Sequence, residues 1–218
     1  MNKFWRKAYM QLTTPSAMFR GNRAYVRGLY ALWSKLYVWT IKLDDAYRKN
    51  AARMVEMVVS DGAVVLDVGA GTGLLAETCT KIASSYTGAD ISPHMLAKAI
   101  DKAVKGEWSN ARFQYADAVN LPFDDQSFDS VISSFMLAHL KDEEKIKALM
   151  EMRRVLKPGR RLGLFSTHGE VTTLFSTKDE WLKILDAAGF EEVRIEDCDD
   201  IYRIITAVNP AASGSDHQ

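Results

Sequence analysis

The sequence is poor in the features that mark secreted, membrane-spanning and zinc-binding proteins. It has only two cysteines, Cys79 and Cys198, among 218 residues, and they lack the spacing and the clustered histidines of a zinc site or a disulfide framework. No apolar run approaches the roughly 18–20 residues that a membrane-spanning helix needs, and the first thirty residues do not resemble a secretory signal. We therefore expect a cytoplasmic protein without a bound metal.

The chain also lacks a net charge, because 28 Lys and Arg balance 28 Asp and Glu. The balance is uneven, however: residues 1–43 contain eight basic residues, nine aromatic residues and no acidic residue. A hydrophobic content of 47% is typical of a globular protein, and the length fits one domain better than two. We predict an N-terminal helical cap or lid over residues 1–43, a main domain over residues 44–208 and a flexible tail over residues 209–218.

Short β-branched runs alternate with helical patterns along the main domain. The predicted strands are residues 63–68, 85–90, 112–115, 130–135, 161–167, 192–196 and 202–208. The predicted helices are residues 2–12, roughly 22–59, 74–83, 142–156 and 177–189, with another that Ser92 caps and Pro93 begins. Lys157, Pro158 and Gly159 should end the helix over 142–156, and a capping box formed by residues 177–180 should open the helix over 177–189. Parallel neighbours need crossover helices, so this alternation predicts an α/β fold with a doubly wound, mostly parallel, seven-stranded sheet. The last two strands are too close in sequence for a crossover and should form an antiparallel hairpin near one edge.

The loop after the first strand is the predicted ligand site, since ligands of open parallel sheets bind beyond the carboxyl ends of the strands. Residues 67–73 read Asp-Val-Gly-Ala-Gly-Thr-Gly. The glycines Gly69, Gly71 and Gly73 allow a sharp turn and a close approach to a ligand at the start of the next helix. The alternative is a tight turn that binds nothing.

Two classes of ligand fit this loop. The segment from Gly71 to Ala76 matches the dinucleotide fingerprint GxGxxA, and Asp90 follows about twenty residues later. The carboxylate of Asp67, just before the loop, would repel a pyrophosphate and attract an ammonium or a sulfonium, so a cationic ligand fits better. Asp90 ends the second predicted strand, where it can accept hydrogen bonds from both hydroxyls of a ribose.

At these residues the chain resembles the class I S-adenosylmethionine-dependent methyltransferases. The matching segments, in the order typical of that family, are residues 65–73, 88–96, 117–118, 121–123, 127–129 and 156–159. The resemblance covers about residues 45–208. It implies a Rossmann-like methyltransferase fold, S-adenosylmethionine as the cofactor and an enzyme that transfers a methyl group.

The resemblance also implies a role for each matching residue. Asp67 and the loop from Gly69 to Gly73 would surround the methionine end of the cofactor, and Asp90 would bind the ribose. Ile91 and Met95 would flank the adenine, although the alternative for Met95 is a place in the core.

Three further positions follow from the same resemblance. Asp117 would accept a hydrogen bond from the adenine amino group, and Ala118 would donate its backbone N–H. Ser134 and Phe135, at the end of the fourth predicted strand, would border the transferred methyl group.

Two histidines are candidate catalytic bases. His139 follows the fourth predicted strand and His168 follows the fifth, both at the ligand-binding edge, where a base can take the proton from a phenol, an enol or an amine. The alternative for each is a structural or surface role. Residues 133–136 differ from the Asn/Asp-Pro-Pro-Tyr motif of methyltransferases that act on base or glutamine amino groups, which disfavours those substrates.

The chain most resembles the small-molecule branch of the family, which includes quinone C-methyltransferases and some phospholipid N-methyltransferases. In many of these an N-terminal segment with tyrosines folds over the cofactor, and residues 30–37 are similar to it, although Val38 stands where relatives often have an aspartate. The resemblance makes Tyr30, Tyr37 and Phe135 candidate substrate-binding residues.

We expect a small hydrophobic or lipid-like acceptor and, because basic and aromatic residues alternate in residues 1–43, peripheral contact with an anionic membrane. Nucleic acid is not an expected partner. Two alternatives stay open: a methyltransferase of RNA or protein that uses the basic N-terminus, and a cofactor-binding protein without chemistry.

Overall fold

The computed structural model describes residues 44–168 and 175–211 of the chain. The predicted cap, residues 1–43, and residues 212–218 of the predicted tail lie outside these described residues. No helix in the described ranges is long and apolar enough to cross a membrane.

Strands and helices alternate along the described chain. Its strands are β1 Val64–Val68, β2 Ser85–Asp90, β3 Ala111–Tyr115, β4 Phe128–Ser134, β5 Leu156–Thr167, β6 Glu191–Asp197 and β7 Tyr202–Val208. Its α-helices are α1 Asp45–Val58, α2 Ala76–Cys79, α3 Pro93–Lys105, α4 Asp142–Val155 and α5 Lys178–Ala187. A 3-10 helix, Met136–His139, follows β4.

The seven strands form one sheet in the order β3-β2-β1-β4-β5-β7-β6. The first five strands run parallel to their neighbours, and β7 is antiparallel to both β5 and β6. The predicted doubly wound sheet is thus confirmed, and the predicted hairpin of the last two strands lies at one edge. The strand order reverses on either side of β1, which places a crevice between the carboxyl ends of β1 and β4.

The central strand β1 is buried on both faces, which explains its nearly continuous apolar sequence. Val65 belongs to the core cluster that α1 and α2 cover, and Asp67, two residues on, points to the same face. Leu66 and Val68 belong to the cluster on the opposite face, with α4 and α5. The polar side chain of Asp67 therefore lies inside an apolar layer.

The helix predicted over residues 74–83 is much shorter in the structure, where α2 has only four residues. Helical turns nevertheless continue beyond α2, because Cys79 O accepts from both Ile82 N and Ala83 N. The last carbonyls of the segment have partners outside it: the side-chain amide of Asn110 donates to the carbonyls of Thr80 and Ala83, and Gly62 N donates to Ile82 O. Such partners satisfy the carbonyls that the end of a helical segment leaves unpaired, and they are too distant in sequence to be predicted.

The start of α3 also differs from the prediction. Ser92 stands at the N-cap position, but its side chain makes no capping hydrogen bond. Its backbone N–H instead donates to Asp90 Oδ1 at 2.8 Å. Asp90 thus orders the beginning of the helix, and the capping role predicted for the Ser92 hydroxyl is wrong.

The helix end predicted at Lys157, Pro158 and Gly159 is confirmed, because α4 ends at Val155 and β5 follows directly. Leu156 already pairs with Phe128 of β4, and Gly159 N donates to Asn209 O at 2.8 Å. The predicted capping box of α5 is also confirmed, because the Thr177 and Glu180 side chains each accept from the other residue's backbone N–H.

Candidate functional site

The glycine loop after β1 has the left-handed backbone that its sequence predicts. The φ angles of Gly69, Gly71 and Gly73 are +78°, +54° and +70°, a region that side chains disfavour. A Cβ atom at Gly69 would lie only 2.3 Å from Cβ of Met136. Gly69 is therefore needed both for the turn and for the close approach of the 3-10 helix after β4.

Asp67 is buried beneath this loop, with 1% of its surface exposed. Its Oδ2 accepts a hydrogen bond of 2.7 Å from the hydroxyl of Tyr86, a buried residue of β2. Its Oδ1 is also buried and has no hydrogen-bond partner among the described residues. Burial raises the pKa of Asp67 to about 7, and the Tyr86 hydrogen bond opposes that rise.

The carboxylate of Asp90 connects the glycine loop to the start of α3. Its Oδ2 accepts from Gly71 N at 2.8 Å, while its Oδ1 accepts from Ser92 N. Burial raises the pKa of this carboxyl, and the backbone hydrogen bonds from Ser92 and Gly71 oppose the rise. Asp67 and Asp90 thus lie at neighbouring strand ends, as the sequence predicts.

The predicted adenine-site residues adjoin Asp90. Met95 is buried, and its terminal methyl group would lie 3.5 Å from a Cβ at Gly71, whereas Ile91 is half-buried. Ala116 N donates to Asp90 O at 3.2 Å, which brings the end of β3 to the end of β2. The carboxylate of Asp117 follows and accepts from Val119 N at 3.3 Å, and the half-buried Ala118 packs against the core.

At the end of β4 the chain turns sharply through Phe135, whose φ is +61°. Such a backbone is rare for a bulky residue and is stabilised only by its surroundings. The Phe135 ring stacks on Tyr47 at 5.3 Å and 28°. We define the aromatic cluster as the five rings in mutual contact at this edge of the sheet: Tyr47, Phe135, Phe165, Phe175 and Tyr202.

Four members of the aromatic cluster are buried, and Phe135 is half-buried. Ser134, beside it, lies 3.0 Å from the hydroxyl of Tyr47, measured between the two side-chain oxygens. The predicted neighbours of the methyl group therefore join the first helix to the carboxyl end of β4. Tyr30 and Tyr37, the other predicted substrate-binding residues, lie outside the described residues.

The two candidate bases differ in their surroundings. His139 is half-buried at the end of the 3-10 helix. His168 is buried directly after β5, and its Nε2 lies 3.1 Å from the carbonyl oxygen of Tyr202. A carbonyl can only accept, so Nε2 carries the proton and the neutral ring has its lone pair on Nδ1.

Asp197 of β6 stabilises this orientation of His168, since its Oδ1 lies 3.5 Å from His168 Nε2. Burial would raise the pKa of Asp197, but hydrogen bonds from Arg203 and Lys178 lower it to about 2. The carboxylate is therefore ionised at every physiological pH.

The comparisons with known proteins agree with this geometry. A family profile described as a methyltransferase domain matches residues 65–159. The chain is 38% identical over 120 residues to the demethylmenaquinone methyltransferase of Tropheryma whipplei (strain Twist), covering 55% of this chain and 48% of that protein. It is 36% identical over 154 residues to the ubiquinone/menaquinone biosynthesis C-methyltransferase UbiE of Stutzerimonas stutzeri (strain A1501), covering 68% and 53%.

Residues 65–159 thus match a methyltransferase domain, and the chain is similar to class I S-adenosylmethionine-dependent methyltransferases. It spans about half the length of these curated relatives. Among solved structures, the [4+2]-cyclase SpnF is similar with a TM-score of 0.76 and 22% identity, covering 85% of this chain and 96% of that one. The likeness confirms the fold, and the cyclase name shows that the fold alone does not determine the reaction.

The residues at the glycine loop fit the cofactor of this methyltransferase family. S-adenosylmethionine carries an ammonium and a sulfonium, and Asp67 Oδ1 is a buried acceptor that lacks a partner among the described residues. A dinucleotide would instead bring its pyrophosphate toward a carboxylate. The separate roles inferred for Asp90, Ile91, Met95, Asp117 and Ala118 stay predictions.

Several residues of this methyltransferase site do not stand out in the sequence. Tyr86 reads as an ordinary strand residue, Met136 as a helix residue and Asp197 as part of an acidic run. Each acts on a partner far away in sequence, namely Asp67, Gly69 and His168. A local signal could have identified Tyr47 in the first turn of α1, because it lies four residues before the buried Ala51 and so on the same face of the helix.

Proposed function

We propose that this protein transfers a methyl group from S-adenosylmethionine to a small apolar acceptor that binds beside Phe135. The observation that carries the proposal is the junction of Phe135 and Met136. Phe135 belongs to the aromatic cluster, and the next residue, Met136, packs against Gly69 of the glycine loop. The apolar surface and the cofactor loop are therefore contiguous.

Methyl transfer from S-adenosylmethionine favours an apolar surface next to the cofactor loop. The bound cofactor supplies a methyl group already activated on a sulfonium, so an in-line displacement needs chiefly alignment of the acceptor and exclusion of water. Rings fixed by mutual edge and stacking contacts provide a rigid apolar wall for that purpose. The names of the two relatives, which act in quinone biosynthesis, support an acceptor with a hydrophobic ring.

A proton must also leave when the acceptor is a phenol or an enol. His168 is the better placed of the two candidate bases, because the Tyr202 carbonyl fixes the hydrogen on Nε2 and leaves the lone pair on Nδ1. Burial and Asp197 restrict the ring to that orientation. We assign the base to His168 and retain His139 as the alternative.

The proposal is tested by incubating the protein with S-adenosylmethionine labelled in its methyl group and three acceptor panels: demethylated quinols with phenolic lipids, total RNA, and unmodified proteins. Label in the apolar extract supports the proposal. Label in RNA or protein instead, or cofactor binding with no transfer to any panel, would overturn it. Phe135→Leu should transfer less label to the apolar extract, and its matched control is Phe123→Leu, which removes an aromatic ring on the opposite side of the sheet.

A further inference from the structure

Tyr86 and Asp67 form a buried pair that the proposed reaction does not explain. The Tyr86 hydroxyl donates to Asp67 Oδ2 at 2.7 Å, and both side chains are almost completely buried. The pair lies directly under the glycine loop, because Asp67 is paired with Gly88 in the sheet and Ala70 lies 3.0 Å from the position of a Gly88 Cβ.

No positively charged group among the described residues faces Asp67. The titratable groups that face it are Tyr86 and Asp90 on β2 and Cys79 on α2. Burial raises the pKa values of Tyr86 and Cys79 well above their ordinary ranges, so both are neutral at pH 7. On the β4 side the neighbour is Ile132, which is apolar.

The two oxygens of the Asp67 carboxyl group therefore differ in their hydrogen bonding. Oδ2 is engaged by Tyr86, which fixes the rotation of the carboxyl group within the apolar layer. Oδ1 is buried without a partner among the described residues, and an ionised oxygen in such a place needs a cation.

We propose that Tyr86 is a positioning residue for Asp67, and that binding of a cationic cofactor at the glycine loop is linked to release of the Asp67 proton to solvent. The inference rests on the proposed function only in taking S-adenosylmethionine as the ligand. The cation stabilises the ionised carboxylate, so affinity depends on the fraction of protein in which Asp67 has already lost its proton.

The sign of the pH dependence follows from burial, which raises the pKa of Asp67 to about 7. Below that pH the carboxyl group is mostly neutral, so affinity should weaken toward tenfold for each pH unit. Above it, affinity should level off. The Tyr86 hydrogen bond stabilises the ionised form of Asp67, so without this hydroxyl the carboxyl group stays neutral to a higher pH. The whole curve of cofactor affinity against pH should therefore move to higher pH.

The test is calorimetric titration with S-adenosylmethionine from pH 6 to pH 9, in buffers of different ionisation enthalpy that reveal the number of protons released. The wild-type protein should release close to one proton at pH 6 and almost none at pH 9. Asp67→Asn should abolish this difference, and because the amino group of the cofactor titrates in both proteins, the comparison isolates Asp67.

Tyr86→Phe keeps the ring and its edge contact with Phe113 but loses the hydroxyl. It should weaken binding about tenfold at pH 7 and recover wild-type affinity near pH 9. In the Asp67→Asn background the same substitution should have no further effect. Thr80→Val is the matched control, since it removes another side-chain hydroxyl hydrogen bond, from Thr80 Oγ1 to Ala76 O, and should leave the pH profile unchanged.

The outcomes separate this inference from the proposed function. Binding that is equally tight from pH 6 to pH 9, or a Tyr86→Phe defect that is the same at every pH, would overturn the inference and leave the function standing. Absence of binding by the folded wild-type protein at every pH would overturn the function itself. A thioether analogue without either cation, 5′-methylthioadenosine, should bind without proton release.

Discussion

Asp90 Oδ2 lies 2.8 Å from the backbone nitrogen of Gly71 and accepts its hydrogen bond. The residue that the sequence assigns to the ribose thus also fixes the middle of the glycine loop. Through Oδ1 the same carboxylate fixes Ser92 N at the start of α3. One side chain therefore determines the relative position of the loop and the helix that border the proposed cofactor site.

Asp90→Ala should weaken S-adenosylmethionine binding by roughly 10–100-fold, because hydrogen bonds to a charged group contribute about 1.5–3 kcal/mol and 1.4 kcal/mol is a tenfold change. Calorimetry measures the loss. Asp101→Ala removes an exposed carboxylate of α3 with the same change in charge and should bind as the wild type does. Equal affinities for the two variants would show that Asp90 does not contact the cofactor.

Gly69→Ala should destabilise the protein more than Gly62→Ala does. Both glycines have φ above +70°, so alanine costs about 1–2 kcal/mol at either site. A Cβ at Gly62 meets nothing within 4 Å, whereas one at Gly69 meets Met136 at 2.3 Å, which adds a further 1–3 kcal/mol or so of overpacking. Denaturant unfolding gives both values, and equal losses would mean that Met136 does not occupy that space.

Asp67→Asn should stabilise the protein without cofactor at pH 8 and have little effect near pH 4. Burial raises the pKa of Asp67 to about 7 from an ordinary value near 3.9. The stability that a neutral Asp67 provides is present below about pH 4 and is lost as the pH rises through 7.

At pH 8 the buried carboxylate therefore costs free energy that the asparagine does not, on the order of 4 kcal/mol or roughly 10 °C in Tm. Thermal unfolding at the two pH values measures the difference. A variant less stable than the wild type at pH 8 would show that Asp67 is stabilised by something other than its neutral form.

The sequence predicted the backbone of this site better than its side-chain partners. The bounds of β2, Ser85–Asp90, and the three left-handed glycines follow from local patterns. The partner of Tyr86 depends on sheet register, in which Tyr86 lies beside Val65 and so reaches Asp67. Register is a tertiary property, and nothing near Tyr86 in the sequence encodes it.

The turn at Phe135 could not be predicted for a similar reason. A phenylalanine has no local preference for φ near +61°, and its packing partners are distant in sequence: Tyr47, for example, lies 88 residues earlier in the chain. The end of the segment after α2 is a second example, since Asn110 on a distant segment donates to the carbonyls of Thr80 and Ala83. Local propensity gives way wherever tertiary contacts compete with it.

Phe135→Leu should raise the KM for the acceptor about tenfold and leave the affinity for S-adenosylmethionine within about twofold. It removes the ring that stacks on Tyr47, and aromatic pairs contribute about 0.5–1.5 kcal/mol beyond their buried area. Steady-state kinetics with the acceptor identified by labelling measure the change in KM, and calorimetry measures the affinity for S-adenosylmethionine. A loss of cofactor affinity equal to the rise in KM would place Phe135 in the cofactor site instead.

The most direct test of the central claim is calorimetric titration of the purified protein with S-adenosylmethionine and, separately, with NAD. The glycine loop fits both the dinucleotide fingerprint and the first motif of the methyltransferases. The buried Asp67 carboxylate favours a cation over a pyrophosphate at this loop. The account predicts saturable one-to-one binding of S-adenosylmethionine and no heat from NAD. Saturable binding of NAD with no response to S-adenosylmethionine would contradict it.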